Sequence, residues 1–245
     1  WMEAQSLKDA YAGKIDYIGV AVPHTQWPSN TKILPSASVQ AGMKRHFSSF
    51  TMENEMKPDS IMGTYYPGAP KNFEDFTDSQ GTTIKVPKNQ LQFGTLDQCL
   101  SVAKKNGLKM RGHVLVWHSQ TADWFFKEGY KSSGKLVDKA TMTARQEWYI
   151  KSVLEHIKEW EDENNDGKRI IYCWDVVNEA ANDGGTKLRD GGSNWYSIYK
   201  NDEFIVNAFR FANKYAPKDE GKTIQIYYCF PLCKKNIARV DITIV

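Results

Sequence analysis

Short apolar runs, rich in β-branched and aromatic residues, alternate along this chain with longer segments of helical periodicity. Five such runs predict strands at 17–22, 47–52, 109–116, 170–177 and 223–228. Strands that alternate with helical segments form a parallel sheet connected by crossover helices. The pattern therefore predicts an α/β fold, and no repeat or Pro-rich linker divides it, so we expect one domain over residues 1–245.

The segments between the predicted strands carry helix signals. Thr95 and Gln98 have the spacing of a capping box, and Gly107 follows as a helix stop. Thr143 and Gln146 predict the start of a second helix by the same spacing. A third helix is predicted from the apolar positions Ile205, Ala208, Phe209 and Ala212. Residues 65–92 show no clear periodicity and are predicted to form one long loop or excursion.

Composition narrows the classes of function. The net charge is +3, from 32 basic and 29 acidic residues spread along the chain, and the lack of a basic block argues against a nucleic-acid partner. No apolar run approaches the roughly 20 residues that cross a bilayer. Aromatic residues make up 13% of the chain, with eight Trp and twelve Tyr, which favours a sugar ligand because pyranose C–H faces stack on such rings. Cys99 and Cys173 fall in apolar patterns and are predicted core residues, and no cysteine spacing indicates a metal site.

Polar clusters follow three of the predicted strands. In chain order they are Thr51-Met52-Glu53-Asn54-Glu55-Met56-Lys57-Pro58, Gly112-His113-Val114-Leu115-Val116-Trp117-His118-Ser119-Gln120 and Asp175-Val176-Val177-Asn178-Glu179-Ala180. The carboxyl ends of the strands form the catalytic face of a parallel barrel. We therefore expect these carboxylates, amides, imidazoles and the indole to converge on one cleft.

Glu179 is the first candidate for a chemical role. Hydrolysis of a glycosidic bond needs a carboxylic acid that protonates the leaving oxygen and a second carboxylate. Glu179 suits the first role, and Asn178 could hold a sugar hydroxyl. An Asn-Glu pair after a strand is ordinarily a helix cap, but three polar clusters at three strand ends favour an active site.

Two other chemistries do not fit these residues. His113 and His118 have no Glu between them at the spacing of a His-Glu-x-x-His zinc helix. His118-Ser119 lacks the Gly-x-Ser-x-Gly elbow of a serine hydrolase.

The three clusters resemble the signature segments of family 10 glycoside hydrolases, the endo-β-1,4-xylanases, over about residues 5–228. The resemblance implies a (β/α)8 TIM barrel and a retaining endo-1,4-β-xylanase that needs no cofactor and acts on xylan or xylo-oligosaccharides. It implies that Glu179 is the general acid/base and that Asn178 contacts the sugar 2-hydroxyl. The other matching residues would line the glycone subsites; they are Glu53, Asn54, Lys57, His113, Trp117 and Gln120. A polymeric substrate implies secretion, and a complete barrel implies a monomer.

The resemblance ends near residue 228. The family's nucleophile belongs to a Thr-Glu-Leu-Asp type motif after the seventh strand, and that motif is absent here. Only about five of the eight βα units are recognisable, and residues 229–245 align with nothing in the family. Glu203 and Glu220 are the only glutamates after Glu179, and neither follows a predicted strand, so the nucleophile is not identified.

Three explanations remain open. The sequence is truncated or altered after about residue 228, the missing strands come from a second fragment, or the protein is a non-catalytic relative. The alternative function is accordingly an inactive xylan-binding or xylo-oligosaccharide-binding protein that lacks the nucleophile. A cellulase of a related barrel family also stays open, because the sequence does not settle whether a C6 hydroxymethyl is tolerated.

Overall fold

The computed structural model describes residues 5–65, 67–185, 187–219, 222–223 and 225–229, with side chains up to residue 217. Glu220 and the unaligned tail from residue 230 onward therefore lie outside the described residues.

A five-stranded parallel sheet forms the centre of the described chain. Its strands are β1 (Gly19–Val22), β2 (Ser49–Met52), β3 (Lys109–Trp117), β4 (Ile171–Asn178) and β5 (Gln225–Cys229). They lie side by side in chain order, and each neighbouring pair is parallel. All five predicted strands are confirmed, each to within two residues at its ends.

Helices connect consecutive strands, except the first helix, which precedes β1. They are α1 (Leu7–Ala10), α2 (Ala37–His46), α3 (Pro58–Met62), α4 (Gly94–Asn106), α5 (Lys139–Asn164), α6 (Asn194–Tyr199) and α7 (Glu203–Tyr215). Sequential parallel strands with intervening helices are the arrangement of a βα barrel wall. No helix in the described ranges has both the length and the apolar surface needed to span a bilayer.

The hydrophobic core lies between the sheet and these helices. Phe50 of β2, Leu100 of α4 and Phe211 of α7 are fully buried, and the predicted core residues Cys99 and Cys173 are buried as well. A close contact joins β3 to β4, because the Trp174 ring occupies the space that a Cβ atom on Gly112 would need. This contact explains the glycine in the middle of β3.

The predicted helix starts are partly wrong. The α4 helix begins at Gly94 without a side-chain cap from Thr95, although Gly107 ends it in the left-handed conformation as predicted. The α5 helix begins earlier than Thr143, because the Asp138 side chain accepts a hydrogen bond from the Thr141 amide and caps it there. In each capping pattern one of the two residues makes a tertiary contact instead, Gln98 in the first and Thr143 in the second.

Gln98 and Thr143 show how those side chains are used. The Gln98 Oε1 atom lies 3.0 Å from His24 Nε2, in the loop that follows β1. The Thr143 hydroxyl donates to the Lys139 carbonyl and pairs with the Tyr199 hydroxyl at 2.8 Å. Capping boxes and interior polar contacts share the same sequence spacing, so the pattern does not distinguish them.

The predicted loop at 65–92 contains a regular hairpin, so that prediction is wrong in part. Its strands, Phe73–Thr77 and Thr83–Pro87, pair antiparallel. The buried carboxylate of Glu147 in α5 accepts hydrogen bonds from the Ser79 amide at 3.0 Å and its hydroxyl at 2.7 Å. The same carboxylate contacts Lys214 and Tyr215, so it ties the hairpin turn to α7.

Candidate active site

The carboxyl end of β2 carries the first predicted cluster, and its side chains are connected. Asn54 Oδ1 accepts hydrogen bonds from Lys57 Nζ at 3.1 Å and from Gln120 Nε2 at 3.4 Å. Lys57 Nζ also donates to Gln120 Oε1 at 2.7 Å. The loops after β2 and β3 therefore meet in one hydrogen-bonded triad of Asn54, Lys57 and Gln120.

Lys57 is unusual for a lysine because the residue is only 9% exposed. Burial lowers the pKa of Lys57, and the nearby carboxylates, Asp59 and Glu53 foremost, oppose that effect. The ammonium lies 5.0 Å from the centre of the Trp117 ring, within the range of a cation–π interaction. Glu53, which is exposed, thus faces the same site as a source of negative potential.

A contact between His113 and Asp175 connects β3 to β4. His113 Nδ1 lies 3.0 Å from Asp175 Oδ2, and Arg111 binds the same carboxylate through Nε at 3.0 Å and through Nη2. Burial acts to raise the pKa of Asp175, but the hydrogen bonds from His113 and Arg111 and the charge of Arg111 outweigh it and lower the pKa. Asp175 is therefore a buried anion that fixes the His113 ring.

Trp117 and Glu179 join the third cluster to the second. Trp117 Nε1 donates a 2.9 Å hydrogen bond to Glu179 Oε2. The backbone under Trp117 is also fixed, because its carbonyl accepts from Trp195 Nε1 at 3.1 Å and from the Thr121 hydroxyl at 2.8 Å. The indole thus contacts the Lys57 ammonium and the Glu179 carboxylate at the same time.

The backbone places Glu179 where β4 ends. Its φ is +50°, in the left-handed region that non-glycine residues rarely adopt. Arg189 holds this turn, because its Nε donates to the Glu179 carbonyl at 3.1 Å while Nη2 donates to Asp183 at 2.6 Å. Asn178, one residue earlier, is 6% exposed, whereas Glu179 itself is only half-buried.

His118 lies beside this turn and was not assigned a role by its motif. Its ring meets the Trp117 ring edge to face, with centroids 5.9 Å apart. Burial and the charge of Arg189 lower the pKa of His118, against the pull of Glu179 and Asp183. The imidazole is therefore biased towards its neutral form next to the carboxylate.

The structure places the predicted site residues at or just after the carboxyl ends of β2, β3 and β4, except His113, which lies midway along β3. Glu55 and Asp175 belong to the predicted clusters but were assigned no individual role. Three further residues that touch the same site were not predicted from the sequence; they are Arg111, Arg189 and Trp195. Arg111 and Asp175 lie within strands that were predicted from their apolar pattern. The opposite charges of these two residues, in neighbouring strands, were the sequence feature that could have predicted their ion pair. Among the described residues, no three His, Cys, Asp or Glu side chains are grouped as metal ligands.

The site lies on the catalytic face of a βα barrel wall. It combines a half-buried carboxylate, an indole and an amide–ammonium triad, and such groups are typical of an enzyme that cleaves sugar chains. The chain belongs to glycosyl hydrolase family 10, whose model matches residues 6–229. The family and the solved structures similar to this chain imply a (β/α)8 barrel, and the described residues form five of its strands.

Named relatives agree with this family. A putative endo-1,4-beta-xylanase of Caldicellulosiruptor saccharolyticus is 45% identical over 155 residues, which cover 62% of this chain and 47% of the relative. Endo-1,4-beta-xylanase A of Butyrivibrio fibrisolvens is 33% identical over 216 residues, covering 84% of this chain and 47% of the relative. The chain thus spans less than half the length of these relatives.

A solved structure is similar over most of the described fold. It contains the CBM22-1 and GH10 modules of the Clostridium thermocellum endo-1,4-beta-D-xylanase 10B in complex with xylohexaose. The match has a TM-score of 0.68 and 30% sequence identity, and it covers 92% of this chain and 39% of that one.

Proposed function

We propose that this protein is a retaining endo-1,4-β-xylanase whose general acid/base is Glu179. The observation that carries the proposal is the hydrogen bond from Trp117 Nε1 to Glu179 Oε2, 2.9 Å long, which connects the carboxylate to the triad of Asn54, Lys57 and Gln120. One side of the site then supplies a proton, and the other holds sugar hydroxyl groups.

In this mechanism the Glu179 carboxyl group gives its proton to the glycosidic oxygen as the bond from that oxygen to the sugar breaks, while a second carboxylate forms a bond to the same sugar carbon. The resulting Glu179 carboxylate then takes a proton from the water that releases the sugar from the enzyme. Half-burial suits both steps, because Glu179 must contact substrate and water while Trp117 and Arg189 hold it in place.

Xylan or xylo-oligosaccharides are the proposed substrates. Support comes from the names of the relatives and from the xylohexaose complex of the similar structure. The amide, ammonium, carboxylate and imidazole groups of the site supply oriented hydrogen bonds to sugar hydroxyls, and the indole supplies a stacking face. We assign this binding role to Glu53, Asn54, Lys57, His113, Trp117, Gln120 and Asn178.

Retention requires a second carboxylate about 5–5.5 Å from the first. Within the described ranges, the strands that end in carboxylates are β2, with Glu53 and Glu55, and β4, with Glu179. Glu55 is committed to backbone amides, and Glu203 lies at the start of α7, where it pairs with Lys139. We therefore assign the attacking carboxylate to a part of the protein outside the described residues, within the same barrel domain.

A second candidate is an inactive relative that binds xylan without cleaving it. The observation that favours it is that, among the described residues, Glu179 is the one carboxylate assigned a catalytic role beside the binding groups. The two functions share the binding surface and differ only in turnover.

Replacing Glu179 by Gln tests the acid/base assignment. A general acid contributes about 10²–10⁴-fold to the rate, so Glu179→Gln should slow xylan hydrolysis by that order. Hydrolysis of an aryl xyloside with a good leaving group should fall far less, because that leaving group needs no proton. Glu163→Gln, an exposed change near the end of α5, is the matched control.

Two results would contradict this proposal. Equal losses on xylan and on the aryl xyloside would remove Glu179 from the acid role. Xylohexaose that binds the unaltered protein and stays intact at high protein concentration would favour the binding protein instead.

The proposal also covers the location, the oligomeric state and the cofactor requirement of the protein. Because a polymer such as xylan does not enter cells, we propose that the protein acts outside the cell. We also propose that it acts as a monomer and without a cofactor, since the carboxylate chemistry requires none.

A further inference from the structure

Trp27 is 83% exposed, although indole is among the most apolar side chains. It lies at the turn of a small hairpin that follows β1, between the paired strands Thr25–Gln26 and Thr31–Lys32. A ring with that exposure contributes little to the core. Its position after a barrel strand places it on the catalytic face.

The hairpin under Trp27 is firmly attached at its base. Glu55 Oε1 accepts hydrogen bonds from the backbone amides of His24 at 2.7 Å and Thr25 at 3.4 Å. Oε2 of the same carboxylate accepts from the Asn54 amide at 3.1 Å, so the hairpin is fixed to the end of β2. The His24 ring adds a contact to Gln98 of α4.

The turn is ordered as well. The Ser29 hydroxyl donates to the Gln26 carbonyl at 3.3 Å and pairs with the Thr31 hydroxyl at 2.9 Å. An aromatic ring on a preorganised support loses little conformational entropy when a ligand binds, and this lowers the cost of binding.

Strand order gives the position of Trp27 relative to the site. Trp27 follows β1, Lys57 follows β2, Trp117 ends β3 and Glu179 follows β4, and these four strands are consecutive neighbours. Adjacent strands are about 4.8 Å apart. Trp27 therefore lies on the far side of Lys57 from Glu179, where a sugar chain crossing the site would continue.

We propose that Trp27 is a sugar-stacking platform, which binds a xylose unit beyond those held by Asn54, Lys57 and Gln120. It gives the protein a preference for long chains over short ones. This inference rests on the proposed action on xylan and adds a residue that determines chain-length preference.

Calorimetric titration with xylotriose and xylohexaose tests it, on the chain carrying Glu179→Gln so that the ligands stay intact. We expect Trp27→Ala to weaken xylohexaose binding about tenfold, as the loss of one stacked ring face predicts. Xylotriose binding should change by less than about twofold, since a short ligand is held by the triad. Trp27→Phe keeps an aromatic face and should retain most of the affinity for xylohexaose.

Tyr11→Ala is the matched control, because Tyr11 is 45% exposed beside α1, on the side of the fold that carries the amino ends of the strands. It should leave both affinities unchanged. Acrylamide quenching gives a second readout: xylohexaose, but not xylotriose, should protect the fluorescence that Trp27→Phe removes.

The outcomes separate the two proposals. If the parent binds both ligands and Trp27→Ala weakens both equally or neither, the platform is refuted while the sugar-binding function stands. If the parent binds neither ligand, the proposed function fails, and the platform fails with it.

Discussion

Trp117 Nε1 donates a hydrogen bond to Glu179 Oε2 over 2.9 Å, and this bond connects the end of β3 to the residue that follows β4. The same indole lies under the Lys57 ammonium, so one aromatic side chain orients two charged groups of opposite sign.

Replacing Trp117 by Phe should lower kcat on xylan by about tenfold to a hundredfold, because a hydrogen bond to a charged group contributes about 1.5–3 kcal/mol. Steady-state kinetics on xylan measures the effect. Trp195→Phe is the control, since it removes the donor to the Trp117 carbonyl and leaves the Glu179 bond in place. An unchanged kcat in Trp117→Phe would show that the bond does not orient the acid.

Arg189 is a positioning residue for Glu179. A non-glycine residue in the left-handed region costs about 1–3 kcal/mol unless its surroundings hold it, and Arg189 holds the Glu179 carbonyl. Arg189→Ala should therefore lower kcat on xylan about tenfold and leave KM nearly unchanged. Arg210→Ala, an exposed change on α7, should alter neither constant. A rise in KM at constant kcat would instead assign Arg189 to substrate binding.

Lys57 should make sugar binding sensitive to alkaline pH. Burial lowers the pKa of Lys57, so it loses its proton at a pH below the ordinary lysine value of about 10.4. Its cationic hydrogen bonds are then present below that lowered pKa and are lost as the pH rises through it. We expect the Kd of xylo-oligosaccharides to increase in that range.

Lys57→Arg provides the control for this pH dependence, because arginine stays protonated up to about pH 12. The variant should bind more weakly at neutral pH, since the fork of the guanidinium does not reproduce the contacts to Asn54 and Gln120. Its Kd should stay flat where that of the unaltered protein rises. A parallel rise in both proteins would attribute the pH effect to another group.

Asp175→Asn should destabilise the fold by about 1–3 kcal/mol at pH 7, because it removes the buried anion that Arg111 and His113 contact. The hydrogen bonds lower the pKa of Asp175, so its contribution is present above the unfolded value of about 3.9 and is lost as the pH falls through the folded pKa. Urea unfolding should show the two proteins converging below about pH 4.

The control for Asp175 is Asp75→Asn, which breaks an exposed ion pair with Lys85. Its cost should be about 1 kcal/mol or less. A stability difference between Asp175→Asn and the unaltered protein that persists unchanged into acid would contradict the charged state assigned to Asp175.

Gly112→Ala should destabilise the protein by about 1–3 kcal/mol, because the added methyl group would overlap the Trp174 ring. Gly42→Ala in α2 meets open space and should stabilise the protein by about 0.5–1 kcal/mol. Thermal unfolding of both variants compares the signs directly. Equal effects would mean that the β3–β4 contact is looser than described.

Much of the sheet could be predicted from the sequence because parallel strands buried on both faces produce continuous apolar runs. The polar residues after β2, β3 and β4 could be predicted for the same reason, since each breaks such a run. The pairing of Arg111 with Asp175 escaped prediction because the two residues lie on neighbouring strands, 64 residues apart in the chain. Spacing along one segment does not reveal pairs of that kind.

The predictions of the helix starts were wrong for a related reason. Gln98 and Thr143 match a local capping pattern, yet His24 and Tyr199 are their partners. Tertiary contacts thus replaced local ones. The hairpin at 73–87 was missed because its first strand, Phe73–Thr77, is largely exposed and shows no apolar alternation.

Glu55 holds the base of the hairpin that follows β1 and does not contact its turn. Its carboxylate binds main-chain amides, and the one side-chain contact at the hairpin base, from His24 to Gln98, lies outside the turn. Residues 27–30 could then be exchanged without moving the end of β2. Substitutions in the hairpin turn should therefore change how many sugar units the protein binds without changing the residues that cleave the bond.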